Sequence, residues 1–191
     1  MIAGTAGGMR LDVPKHHVRP TMDRVKAAIF SSLGDFVIGA RVLDLFAGTG
    51  ALGIEALSRG AKAARFVDQD HEAVATIERN LAKTKLAGRA LRREVFDFLR
   101  RPISSERFDI IFADPPYEKT DEGEAFTALL LASNGLIALL EPSGIFVLEK
   151  HPSEKMPDTK QWRICRAKSY GATEILFLNR TDPMPRSNRS T

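Results

Sequence analysis

Short apolar runs alternate with helical patterns along most of the chain. The first eighteen residues are Gly-rich and basic, and read as loop or short strand. Val25, Ala28, Ile29 and Leu33 then recur at helical spacing, with Thr21 standing where an N-cap belongs. Gly34 and Gly39 bracket a turn. Arg41–Phe46 predicts a buried strand, and Gly53–Arg59 a helix closed by Gly60. Arg65–Asp68 predicts a second strand, and Glu72–Lys85 a helix with Val74, Ile77 and Leu81 on one face. Strands are expected over Ala90–Arg93, Phe108–Ala113 and Gly144–Glu149, and a helix over Glu122–Leu131. Trp162–Lys168 and Thr173–Asn179, joined through Tyr170-Gly171-Ala172, read as an antiparallel hairpin. This alternation implies an α/β fold: a mostly parallel sheet with helices on both faces and the hairpin at its end. One domain is expected over residues 1–179, with 1–39 as an N-terminal extension packed on it. Residues 180–191 offer nothing to bury and read as a disordered tail.

Composition narrows the function classes. The 191 residues carry 28 basic and 24 acidic side chains, a net charge of +4 that permits an anionic partner. The single cysteine, Cys165, excludes an internal disulfide and a multi-cysteine zinc site. His16, His17, His71 and His151 lack metalloprotease spacing, so no metal centre is expected. No apolar run reaches the ~18–20 residues of a membrane span. Met1-Ile2-Ala3-Gly4 lacks the layout of a signal peptide, so the expected compartment is the cytoplasm.

Candidate chemistry begins at Val42-Leu43-Asp44-Leu45-Phe46-Ala47-Gly48-Thr49-Gly50, where an apolar strand runs straight into glycines and a helix follows. Glycine lets the backbone turn tightly and approach a ligand, and the end of a first strand is where nucleotide-like ligands bind. Gly48, Gly50 and Gly53 also satisfy the dinucleotide fingerprint, with Asp68 at the spacing of a ribose-binding acid. The glycines alone therefore leave a nicotinamide site open. Asp44 argues against it, since a pyrophosphate gains nothing from a nearby carboxylate whereas a sulfonium cation does. Asp44 is also expected to hydrogen-bond the loop amides. Asp68 is positioned to accept from ribose hydroxyls, and Asp70 to cap the following helix.

Phe108–Ala113 delivers Asp114-Pro115-Pro116-Tyr117 to the end of another buried strand. Two prolines stiffen the chain and free nearby carbonyls. Asp114 and those carbonyls can accept both hydrogens of an exocyclic amine while Tyr117 stacks on its ring. The amine is then held towards an electrophile, by positioning and electrostatics alone. Taken alone, the segment is equally a rigid Pro-Pro turn with Asp114 as a cap.

Together Val42–Gly50, Asp68 and Asp114–Tyr117 resemble the class I S-adenosylmethionine-dependent amino-methyltransferases. Ile2-Ala3-Gly4, Arg19-Pro20-Thr21 with Asp23-Arg24-Val25, and Gly53–Leu57 resemble one branch, the RsmD family of 16S rRNA guanine-N2 methyltransferases. The resemblance implies a seven-stranded Rossmann-like sheet and S-adenosylmethionine held by Asp44, Phe46, Ala47, Gly48, Thr49, Gly50 and Asp68; a single domain of this size is expected to work as a monomer, with a dimer left open. The resemblance places adenine near Glu94 and Val95, and Arg19, Thr21 and Arg24 beside the cofactor and substrate. Glu94 departs from the Asp or Asn more usual there. The N-terminal loop supplies fewer charges than family members carry, which shifts RNA contact onto Arg10, Lys15, His16, His17 and the cluster Arg89, Arg92, Arg93, Arg100 and Arg101. Lys26 reads as part of a solvated helix start. Glu149-Lys150-His151 reads either as site rim or as strand-end charges in solvent.

Three rivals remain on sequence grounds: an amino-methyltransferase of another RNA or DNA base, a nicotinamide oxidoreductase, and a non-catalytic RNA-binding module. The oxidoreductase has no use for Asp114-Pro115-Pro116-Tyr117, and the binding module none for Asp44, Asp68 and Asp114 around one crevice.

Overall fold

The computed structural model describes residues 1–13, 23–101, 106–116, 126–158 and 160–181. Five strands run parallel: β1 (Arg41–Leu45), β2 (Ala63–Asp68), β3 (Arg89–Arg92), β4 (Phe108–Ala113) and β5 (Leu140–Lys150). β7 (Thr173–Arg180) pairs antiparallel with β5 and with β6 (Trp162–Tyr170). The sheet order is β3-β2-β1-β4-β5-β7-β6, seven strands as the resemblance implied. Buried parallel strands read as continuous apolar runs, which is why β1 and β4 stand out in the sequence.

Alternation along each strand divides the core in two. Val42, Phe66, Phe112, Val147 and Phe177 face α1 (Asp23–Leu33), α2 (Ala51–Ser58) and α3 (His71–Thr84). Leu43, Leu45, Ile111, Phe146 and Leu176 face the other way, towards α4 (Val95–Arg100), α5 (Phe126–Ala132) and α6 (Asn134–Leu139).

Several boundaries differ from expectation. The helices α4 and α6, six residues each, show no sequence period because they are under two turns long; caps at Glu94 and Ser133 define them instead. β5 starts at Leu140, with a register shift opposite Phe108/Ile110 absorbing Pro142, Ser143 and Gly144. Two residues assigned to the expected tail are instead packed on the sheet. Arg180 closes β7 opposite Trp162 and donates to the Leu140 carbonyl at 3.2 Å, and the Thr181 amide reaches the Gln161 carbonyl at 2.8 Å. Lys26 is not solvated but 4% exposed, with Nζ 3.1 Å from Asp23. Glu149 and Lys150 are buried too, the ammonium of Lys150 lying 2.8 Å from Glu174. Among the described residues no helix is long and apolar enough to cross a membrane.

Candidate active site

The carboxyl ends of β2, β1, β4 and β5 are neighbours, and each delivers an acid: Asp68, Asp44, Asp114 and Glu149. Asp44 is 3% exposed, and its Oδ2 accepts the Gly53 N–H at 2.8 Å. Gly53 lies in the first turn of α2, whose N-cap Gly50 has no side chain to offer, so Asp44 fills that helix terminus from the sheet. A pyrophosphate would meet this carboxylate where a dinucleotide fold presents free amides, which removes the nicotinamide rival's central contact. Burial pushes the Asp44 carboxyl up to about 8, with Asp68 adding to the rise and the Gly53 bond opposing it.

The glycine loop is held by side chains around it. Gly48 and Gly50 take φ of 53° and 73°, the left-handed region that glycine occupies without penalty. The Gly48 N–H donates to Asp68 Oδ2 at 2.8 Å, and the Thr49 carbonyl accepts from Asn80 Nδ2 at 3.0 Å. The Gly50 amide turns back to the Ala47 carbonyl at 2.7 Å. Asp68 Oδ1 accepts the Asp70 amide at 2.9 Å, so Asp68 fastens the loop; a carboxylate has about four acceptor positions, leaving room for hydroxyls. Asp70 caps α3 by accepting from Glu72, as expected. Phe46 has φ of 54°, a conformation that costs an L residue about 1–2 kcal/mol. Its ring packs edge-on against Phe96 and Phe126, at 6.2 and 5.9 Å.

Glu94 caps α4, accepting from Phe96 N at 3.0 Å and Asp97 N at 2.7 Å. Val95 is 2% exposed and its side chain belongs to the core, so Phe96 rather than Val95 presents a side chain beside Phe46. Asp114 is half-buried, Pro115 buried and Pro116 exposed at the end of β4. Burial, then the charges of Glu149 and Asp44, hold the Asp114 carboxyl well above the ordinary range. Arg10 and Arg24 are exposed. At the sheet edge, Arg92 Nε donates to the Gln69 carbonyl and Arg93 to the Arg101 carbonyl, at 3.3 and 3.0 Å. Tyr117, Arg19 and Thr21 lie outside the described residues, as do Lys15, His16 and His17.

The protein-family profile described as "Conserved hypothetical protein 95" matches residues 1–179. "Putative rRNA methyltransferase YlbH" of Bacillus subtilis is 37% identical over 94% of this chain and 98% of its own. "Ribosomal RNA small subunit methyltransferase D" of Escherichia coli K12 is 33% identical, covering 94% and 89%. The chain belongs to the RsmD/YlbH family of S-adenosylmethionine-dependent methyltransferases. A solved structure titled "Putative methyltransferase yhhF from Escherichia coli" superposes with a TM-score of 0.77 at 30% identity, over 94% of this chain and 96% of that one.

In this member of the family the opening residues are fastened by side chains that sequence reading did not single out. Glu55, fully buried in α2, accepts the Ile2 and Ala3 amides at 2.8 and 3.0 Å and the Arg59 guanidinium at 2.8 Å. Ser58 accepts the Ala6 amide at 2.9 Å, and a Cβ on Gly4 would stand 1.8 Å from the Ser58 carbonyl oxygen. The available signal was polarity out of place: Glu55, Ser58 and Asn80 are polar residues on faces that otherwise point inward.

Proposed function

We propose that this chain methylates the exocyclic N2 amine of a guanine in 16S ribosomal RNA, within the cytoplasm. The observation that carries the reading is the pairing of Asp114 with Glu149. Ala113 and Leu148 are register partners, so the next residues, Asp114 and Glu149, stand side by side at the ends of β4 and β5. The charge of Glu149 raises the proton affinity of Asp114, as expected of neighbours. Two adjacent carboxylates call for two adjacent donors. Guanine presents N1–H beside its N2 amine, whereas adenine and cytosine present a ring acceptor beside theirs.

The donor set suits S-adenosylmethionine. A buried carboxylate such as Asp44 gains from a cation opposite it, Asp68 retains acceptor positions for ribose hydroxyls, and Phe46, Phe96 and Phe126 offer an apolar wall to a ring. When bound, the cofactor supplies an electrophilic methyl group on a positively charged sulfur. Asp114 accepts an N2 hydrogen and takes that proton as the amine gains its methyl group, while Glu149 accepts N1–H and leaves more electron density on N2. Pro115 and Pro116 fix the Asp114 backbone so that the acceptor needs no reorganisation. Arg10, Arg24, Arg92 and Arg93 neutralise phosphates around the crevice.

The test is nucleoside analysis of unmodified small-subunit RNA and particles after incubation with the protein and labelled S-adenosylmethionine. N2-methylguanosine supports the reading. N6-methyladenosine or N4-methylcytidine would sink it and leave only the methyltransferase class.

A further inference from the structure

Asn80 occupies an anomalous place in α3. It lies on the face that Ile77, Leu81 and Thr84 bury, and it is itself fully buried. A buried amide must find partners, and those of Asn80 come from two loops far apart in sequence. Its Nδ2 donates to the Thr49 carbonyl at 3.0 Å, in the glycine loop, and to the Asp12 carbonyl at 3.1 Å. Its Oδ1 accepts the Asp12 amide at 2.7 Å. One turn further along α3, Lys83 reaches the Asp12 carboxylate at 2.6 Å, an exposed pair that screening makes weak. Asp12 follows Arg10 by two residues and leads into the stretch that carries Arg19 and Thr21.

We propose that Asn80 is a positioning residue that couples cofactor occupancy of the glycine loop to the N-terminal arm. The side-chain amide is planar and rigid, and both of its ends are engaged. A displacement of the Thr49 carbonyl must therefore either break a buried hydrogen bond or pass to Asp12. Binding that fixes the loop fixes the arm, and by linkage an ordered arm tightens cofactor binding by the same factor. Neither obvious replacement serves both ends: aspartate keeps the acceptor for the Asp12 amide but has no donor for the Thr49 carbonyl, and leucine has neither. The coupling makes cofactor binding and RNA contact at the arm bearing Arg10 reinforce each other, because the loop and the arm share Asn80. This inference rests on the cofactor assignment and not on which base is modified.

The experiment follows exchange of the Asp12 amide by NMR in the full chain, with and without S-adenosylhomocysteine, while calorimetry gives the affinity. In the wild type the ligand is expected to slow Asp12 exchange at least about tenfold. In Asn80→Asp the ligand still binds but Asp12 exchange no longer responds. Asp12→Pro removes the arm's amide donor without touching the core, and reciprocity predicts several-fold weaker ligand binding; Lys83→Ala, which breaks only the exposed ion pair, binds as the wild type does. Asp12→Pro keeps the test decisive should Asn80→Asp fail to fold. Wild-type exchange indifferent to the ligand, a persistent response in Asn80→Asp, or unchanged affinity in Asp12→Pro would each overturn the coupling and leave the guanine reading standing. Absence of ligand binding by the wild type would overturn the cofactor assignment together with it.

Discussion

Asp44 ties the charge of the ligand to the pH of the solution. Its carboxyl titrates near 3.8 when unconstrained and is raised to about 8 in the fold by burial, so at pH 7 roughly one ligand-free molecule in ten carries the charge. The folded value lies above the unfolded one. The stability linked to Asp44 is therefore complete below about pH 4 and is lost as pH rises through 8. A cation bound opposite the carboxylate needs the ionised form, and drawing the remaining molecules into it costs about 1.4 kcal/mol at pH 7. Affinity for S-adenosylmethionine should then climb between pH 6 and 8 by up to about 50-fold, with proton release that calorimetry in two buffers of different ionisation enthalpy measures directly. Asp44→Asn keeps an oxygen for the Gly53 N–H and has no proton to lose. Its affinity should be lower at pH 8, and its wild-type-to-variant ratio should shrink towards unity at pH 6. The ligand's own amine titrates alike in both proteins and cancels in the ratio. A ratio that stays constant across that range refutes the assignment of Asp44 as the cation's partner.

Other consequences are simpler to measure. Gly53→Ala places a Cβ 2.3 Å from a ring carbon of the fully buried Phe66, and the overpacking should cost about 1–3 kcal/mol, read as a fall of about 2–4 °C in Tm per kcal/mol. Replacing Arg92 and Arg93 by alanine should weaken RNA binding and flatten its salt dependence, with the slope against log salt falling by up to about 0.7–0.9 for each phosphate left without its arginine. A slope unchanged in the double variant removes that edge from the RNA interface. Glu149→Gln replaces an acceptor with a group that can also donate, so kcat/KM should drop about 10–100-fold while S-adenosylhomocysteine affinity holds. Removing the like charge should also move the acid limb of kcat/KM to lower pH, because Glu149 is among the causes that raise Asp114. A limb that does not move separates Glu149 from the reacting amine.

Parallel strands buried on both faces announce themselves, and β1 and β4 were legible for that reason, as was the β6–β7 hairpin from its central glycine turn. The placement of Asp44, the glycine loop, Asp68 and Asp114-Pro115-Pro116 at strand ends was legible too, because each sits in or directly after a contiguous apolar run. What remained hidden depends on neighbours distant in sequence. Glu149 reads equally as site rim or as a strand-end charge in solvent, because nothing local reveals that β5 lies beside β4, or that the step after the Ala113–Leu148 pair leads to Asp114. Lys150 is hidden for the same reason, because Glu174, 24 residues on, pairs with its ammonium inside the fold; Lys26 has its partner Asp23 only three residues away, and what the sequence does not reveal is its burial. The cap of α2 is the clearest case. Gly50 cannot cap a helix with a side chain, which in sequence looks like a weakness; in the fold the missing acceptor arrives from Asp44, so on the proposed reading a single buried carboxylate both closes the helix and partners the cation. On that reading a substitution there strikes stability and binding together. The pH dependence of the Asp44→Asn ratio, which removes the charge while sparing the cap, can tell the two apart.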